Sequence, residues 1–186
     1  MSIIQIIKSR RSIRKFKDMP VESEKIDHLI EAAIWAPSAM NSQPWAFVVI
    51  QDRSTLKDLS DNSKKFLIEN MEKFKVLEKY KSMLERDDYN IFYNAPALIT
   101  IYAKNYGLYP KEDCALAAEN LMLEAHAIGL GTCWIGFARE YMDLEETKAK
   151  FKVPSEYSAV APIIVGYPEI VPDHGSRNNP IILYRK

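Results

Sequence analysis

Apolar residues recur along the chain at two different periods, and the alternation between them predicts its elements. Ser2 caps a first helix that carries Ile3, Ile4, Ile6 and Ile7 and runs to about Arg10. After Pro20, the residues Ile26, Leu29, Ile30, Ala33 and Ile34 return at the spacing of one helical face, and this second helix must stop near Pro37. Ala46 to Ile50 and Ala97 to Ala103 are short continuous apolar runs, which predict buried strands. Between them, residues 54–94 scatter Phe66, Phe74, Tyr80, Tyr89, Phe92 and Tyr93 through Lys- and Glu-rich sequence, the pattern of two or three surface helices. Glu112 to Ile128 differs, because its apolar residues leave little of the circumference polar; such a helix belongs at the centre of the molecule or in a subunit interface. Gly129 ends it, and a short strand at Thr132 to Ile135, a helix from Leu144 to Phe151, a strand from Ala159 to Val165 and an irregular tail from Pro168 complete the chain.

Strands separated by helical segments do not form simple hairpins, so the order predicts an α+β fold with a mixed central sheet covered by helices. Neither repeats nor a Gly/Ser linker interrupt residues 1–186, which read as one domain.

The 186 residues carry 25 Lys+Arg against 25 Asp+Glu, and this balance argues against a nucleic-acid binder, which needs a basic face. The longest apolar run, Ala159 to Val165, contains Pro162 and falls well short of the roughly 20 residues a membrane helix requires. Cys114 and Cys133 sit inside apolar stretches and not in a loop framework, so a reducing, cytoplasmic location is expected. The N-terminus has no signal-peptide core; it stays free of acidic residues until Asp18, as a transit peptide would, but its basic cluster has a better explanation.

Familiar catalytic frameworks are missing. Gly129-Leu130-Gly131 lacks a third glycine and follows a helix where a dinucleotide loop would follow a strand. There is no phosphate-binding loop of the Walker type, no nucleophile elbow and no zinc-type pair, and His28, His126 and His174 lie far apart in sequence. Chemistry on this chain must therefore be borrowed from a cofactor.

Two clusters suit such a loan. Arg10, Arg11, Ser12 and Arg14 follow the first helix, and guanidinium forks with a serine hydroxyl suit a phosphate; the same cations also suit a helix C-terminus without any ligand. Pro37 to Trp45 is stiffened by prolines at 37 and 44, while Ser38, Asn41 and Gln43 offer donors and acceptors that fit a heterocycle edge, or simply a turn.

Taken together, Arg10-Arg11-Ser12-Ile13-Arg14, Ala36-Pro37-Ser38 with Asn41, Gln43, Pro44 and Trp45, Asn94-Ala95-Pro96, and Gly129 to Gly136 resemble the FMN-dependent nitroreductase family in order and spacing. The resemblance implies an α+β sandwich and an intertwined homodimer with one FMN at each subunit interface. It assigns Arg10, Arg11 and Ser12 to the FMN phosphate, with Arg177 as a second phosphate arginine shortly before Pro180. It sets Arg14 near the pyrimidine side of the flavin, brings Pro37, Ser38, Asn41 and Gln43 from the partner subunit, and gives Ile135 and Gly136 the backbone that approaches flavin N5. The implied reaction passes hydride from NADH or NADPH through the flavin to a nitroaromatic, quinone or similar acceptor, with no catalytic side chain required. A flavin carrier without turnover, or another flavin reaction such as reductive dehalogenation, are the alternatives. Phe66, Tyr89 and Phe92 are candidates for a lid over the flavin, and Asn90 for its carbonyl edge.

Overall fold

The computed structural model describes residues 2–173 and 175–186; His174, one of the three histidines, lies outside them. Strands β1 (Trp45–Ile50), β2 (Ala97–Lys104), β3 (Gly131–Trp134) and β4 (Tyr157–Gly166) form one sheet in the order β1-β2-β4-β3. All three pairings are antiparallel, and the parallel part of the expected mixed sheet is confined to one bridge between Ser12 and Thr132. The helices are α1 (Ile3–Ser9), α2 (Ser23–Ile34), α3 (Arg53–Glu69), α4 (Lys81–Leu84), α5 (Pro110–Ala127), α6 (Gly136–Met142) and α7 (Glu145–Lys150).

The unbroken apolar run of β2 follows from its central place. Ala97, Ile99, Ile101 and Ala103 join the core beneath α2 and α5, while Leu98 and Tyr102 face the opposite core with α3 and α6. Both faces of the sheet are thus covered, so alternation with polar residues would have been destabilising. Tyr102 is wholly buried, and its hydroxyl donates to the Met142 carbonyl at 3.0 Å, which satisfies the one polar atom it brings inside.

Helix α5 is the central helix that its composition predicts. Its buried side, from Asp113 and Cys114 to Ala125, packs on the sheet and on α2, while Leu116 stays 46% exposed. Gly129 closes it at φ +83, a left-handed turn that glycine adopts without strain.

Residues 54–94 depart from the surface role expected of them. Leu56, Leu59, Leu67, Leu84, Ile91 and Phe92 are all buried, and they make the second core against the sheet. The charged residues between them hid a helix face whose apolar positions are spaced for burial. Helix α6 was not anticipated, although Phe137, Ala138, Tyr141 and Met142 recur at helical spacing directly after β3. Among the described residues no helix is long and apolar enough to cross a membrane.

Candidate functional site

The site begins where α1 ends. Segment 10–14 leaves the helix and lies along β3, with the Ile13 N–H donating to the Thr132 carbonyl at 2.9 Å and Ile13 itself only 4% exposed. Gly131 makes this possible, since a Cβ there would stand 2.6 Å from a side-chain carbon of Ile13. Burying Ile13 turns its neighbours Ser12 and Arg14 outward.

Two cavities meet along this segment. The first, of about 300 Å³, is lined by Arg10, Arg11, Ser12, Arg14 and Arg177 with Asp173. The second, of about 500 Å³, is lined by Arg14, Tyr80, Tyr93, Trp134, Gly136 and Phe137 among others, with Cys133, Ile135 and Ile91 in its walls. Arg14 belongs to both, so a cationic compartment and an aromatic one abut at a single side chain. Among the described residues Arg10, Arg14 and Arg177 are unpaired with any carboxylate. Arg11 is engaged differently: its guanidinium donates to the Lys8 and Arg10 carbonyls at 2.8 and 2.6 Å and to the Asp173 carbonyl at 3.3 Å.

Local electrostatics follow from this crowding. His126, in the last turn of α5, is held below the ordinary histidine range by burial and then by the nearby Arg10 and Arg11. Ser9 Oγ lies 2.8 Å from the Gln5 carbonyl and 2.6 Å from His126 Nε2, so it ties the imidazole to the last turn of α1. Burial pushes the Cys133 thiol upward, opposed by Arg14, a hydrogen bond with Ser12, and Arg10.

The aromatic cavity suits a planar ring. Tyr80 and Phe137 meet edge to face with centroids 5.5 Å apart, and the Arg14 guanidinium lies 5.9 Å from the Tyr93 ring centre. Nothing stands within 4 Å of the place a Cβ would occupy on Gly136, so the backbone there is open to close approach. The Ile135 N–H is taken by the Pro162 carbonyl at 2.7 Å, whereas Gly136 opens α6, where first-turn amides lack an intrahelical partner. An acyclic phosphate tail on a tricyclic ring matches this pair of compartments, and FMN is such a molecule.

The turn at 37–43 lies elsewhere. Asp113, 4% exposed at the start of α5, accepts from the Ala39 N–H at 3.1 Å and the Ser42 hydroxyl at 3.3 Å. The Ser38 hydroxyl accepts from the Gln43 N–H at 3.1 Å, and the Gln43 amide donates to Asn41 Oδ1 at 3.0 Å. Met40, Asn41 and Gln43 all have positive φ, of 53°, 54° and 45°, so the loop is held in a strained form that exposes Met40 and Asn41. Pro37, just before the turn, is exposed as well.

Within one chain this turn is remote from the arginines. It is anchored at Asp113 and they adjoin His126, a separation of about 20 Å along α5 at the usual helical rise. The sheet gives the same answer. Trp45 pairs through Ala103 with Ser158, and Trp134 pairs with Ile163 on the far edge, about 14 Å across the strands and about 16 Å along them.

Several lid and edge candidates take other parts. Phe92 is buried in the core at 1% exposure, Phe66 packs on Phe74 and Tyr141, and the Asn90 side chain accepts from the Phe92 N–H at 2.8 Å. Tyr80 and Tyr93, two of the other aromatics scattered through residues 54–94, line the aromatic cavity together with Phe137. Asp113 anchors the turn; neither it nor Phe137 was singled out in the sequence, although Asp113 is an acidic residue in the first turn of a Pro-initiated helix.

Comparison with known proteins bears on the fold and the family. The chain is 31% identical, over 90% of its length and 78% of the relative's, to a protein of Methanothermobacter thermautotrophicus named as an NADH dehydrogenase/NAD(P)H nitroreductase. Its fold matches a nitroreductase with bound FMN from Bacteroides fragilis at a TM-score of 0.86, with 22% identity and both chains covered completely. It also matches an iodotyrosine deiodinase bound to FMN and 3-iodo-L-tyrosine at a TM-score of 0.76 and 26% identity, again over the whole of both chains. A family model described as the nitroreductase family spans residues 7–167, from the last turn of α1 through the arginine segment and every strand of the sheet, and the chain belongs to that family.

Proposed function

We propose that the chain is an FMN-dependent oxidoreductase that passes hydride from NADH or NADPH to a nitroaromatic, a quinone or a similar small acceptor, and that its flavin site is shared between two copies of the chain. The observation that carries the reading is Arg14, which stands in the wall of both the cationic and the aromatic cavity. Arg10, Ser12 and Arg177 hold the phosphate, with Arg11 bracing the end of α1 beside them. Arg14 sits at the pyrimidine side, where a fixed positive charge favours electron density on the ring. Ile135 fixes the backbone and Gly136 presents its amide to the central ring. When bound, FMN supplies a two-electron carrier that accepts and donates hydride at N5. Because stacking in one cavity positions donor and acceptor in turn, the absence of a triad or metal is no obstacle.

The partner's role rests on distance. Pro37, Ser38, Asn41 and Gln43 cannot serve the cavity of their own chain, yet they form a strained, exposed polar loop beside Trp35, which is 80% exposed. The tail carries a further apolar surface, with Ile181, Leu183 and Tyr184 at 87%, 94% and 78% exposure. A homodimer that covers these surfaces brings the loop of one copy to the arginines of the other.

Purified protein should be yellow, bleach when NADH or NADPH is added without oxygen, and recover its colour with a nitroaromatic or quinone. Protein that neither carries nor takes up FMN would refute the reading, and colour without bleaching would leave the flavin-carrier alternative. The likeness to iodotyrosine deiodinase favours reductive dehalogenation as a second reading, which iodide release from 3-iodotyrosine would support.

A further inference from the structure

The turn over residues 89–94 forms a wall between two cavities. Tyr93 lines the aromatic one together with Arg14 and Ile91. Tyr89 lines a polar cavity of about 440 Å³ on the other side, with Arg53, Lys57, Asp61, Asp87 and Asp88 around it. The two hydroxyls lie 3.2 Å apart within this wall, either able to donate, and their rings meet edge to face at 6.0 Å.

The fold maintains this pair against strain. Tyr93 and Asn94 have φ of 53° and 55°, a region that bulky side chains avoid. Three hydrogen bonds pin the turn: the Tyr93 N–H to the Asn90 carbonyl at 2.9 Å, the Phe92 N–H to Asn90 Oδ1 at 2.8 Å, and the Ile91 N–H to the buried Ser60 hydroxyl at 3.0 Å.

A hydride acceptor needs a proton as well. Of the groups around the aromatic cavity, Arg14 does not release one and the buried Cys133 thiol is turned to the Trp134 carbonyl at 3.7 Å, which leaves the phenols of Tyr80 and Tyr93. Tyr93 is the one of these with a second hydroxyl behind it among the described residues. Resting on the flavin reading above, we propose that Tyr93 and Tyr89 form a two-hydroxyl proton relay, Tyr93 protonating the oxygen of a quinone or nitro acceptor and Tyr89 replacing that proton from water in the polar cavity.

The step balances. Hydride brings two electrons and one hydrogen to the acceptor; the Tyr93 O–H bond breaks as the acceptor O–H bond forms. The Tyr89 proton moves to the Tyr93 oxygen, and solvent reprotonates Tyr89. One hydride and one proton convert a quinone to its hydroquinone, or a nitro group to a nitroso group and water. The Arg14 guanidinium lies 5.9 Å from the Tyr93 ring centre, while burial and the bond to Tyr93 hold Tyr89 protonated.

Tyr93→Phe and Tyr89→Phe keep both rings and remove one hydroxyl each. Protein loaded with FMN and reduced by NADH is mixed rapidly with 1,4-benzoquinone, which takes hydride and a proton, or with ferricyanide, which takes an electron and no proton. The ratio of the benzoquinone to the ferricyanide rate should fall about 100-fold in Tyr93→Phe, the ordinary size of a general-acid effect, and by less in Tyr89→Phe. In flavin-free protein labelled at the tyrosine Cζ carbons, Tyr89→Phe should shift the Tyr93 resonance. An unchanged ratio, or an unmoved resonance, overturns the relay while the flavin reading stands. Protein that takes up no FMN, or is not reduced by NADH, overturns the flavin reading and the relay with it.

Discussion

Arg10 and Arg11 are neighbours whose surroundings ask different things of them. Arg10 has no carboxylate partner among the described residues, whereas Arg11 spends its guanidinium on the carbonyls of Lys8, Arg10 and Asp173. Arg10→Ala should therefore weaken FMN binding by about 2 to 5 kcal/mol, the cost of unpairing a held charge, with Arg11→Ala affecting the end of α1 more than the flavin. Flavin fluorescence titration of both variants checks this order. His126 reports on the same compartment. A phosphate dianion would offset Arg10 and Arg11, so histidine NMR should show the His126 titration moving up toward its ordinary range when FMN binds. Asp52 offers a sign check on acid stability. It caps α3 by accepting from the Thr55 N–H at 2.7 Å and the Ser54 hydroxyl at 2.6 Å, which hold its carboxyl down at about 2. A depressed carboxyl stabilises fully above its unfolded value near 3.8 and loses that contribution as pH falls through about 2. Asp52→Asn should flatten the loss of stability between pH 4 and 2 in acid unfolding.

Helices and strands set those residues in place, and one buried glycine is the most sensitive point of the arrangement. Gly131→Ala pushes a methyl into Ile13, whose burial aims Ser12 and Arg14 outward, so it should cost FMN affinity well before it unfolds the sheet. Thermal melts run beside flavin titration separate the two effects. Asp113→Ala should act on the turn in the same manner, since the Ala39 N–H and the Ser42 hydroxyl lose their buried acceptor. At this scale the sequence was legible where apolar residues dominated or recurred at one period. The central strand β2 and the helix α5 could be read from their nearly unbroken apolar content, and α2 from the spacing of its apolar face. Residues 54–94 misled because lysines and aspartates stand between the buried Leu56, Leu59 and Leu67, and charge hid the face. The arginine segment and the polar turn stood out by their residue chemistry, and the roles proposed for them come from the family resemblance. Tyr80, Tyr93 and Phe137 were not legible as cavity residues, because they reach the cavity from three separate elements that only tertiary packing brings together.

For the molecule as a whole, one chain leaves its own parts unmatched. The polar turn and the arginines occupy opposite corners of the sheet, and apolar side chains at Trp35, Met40 and Leu183 stay 80%, 91% and 94% exposed. Sedimentation should therefore find a dimer whose dissociation releases flavin. The most direct measurement uses mixed dimers. Arg10→Ala combined with Arg177→Ala destroys one half of the proposed site, and Ser38→Ala combined with Asn41→Ala destroys the other. Differently tagged copies of the two variants, refolded together and purified through both tags, contain one undamaged and one doubly damaged site if each site draws on both chains. Such dimers should bind one FMN with wild-type affinity, where either parent alone binds weakly at both sites. Mixed dimers with no tight site at all would show that arginines and turn do not meet across the interface, and would contradict the account.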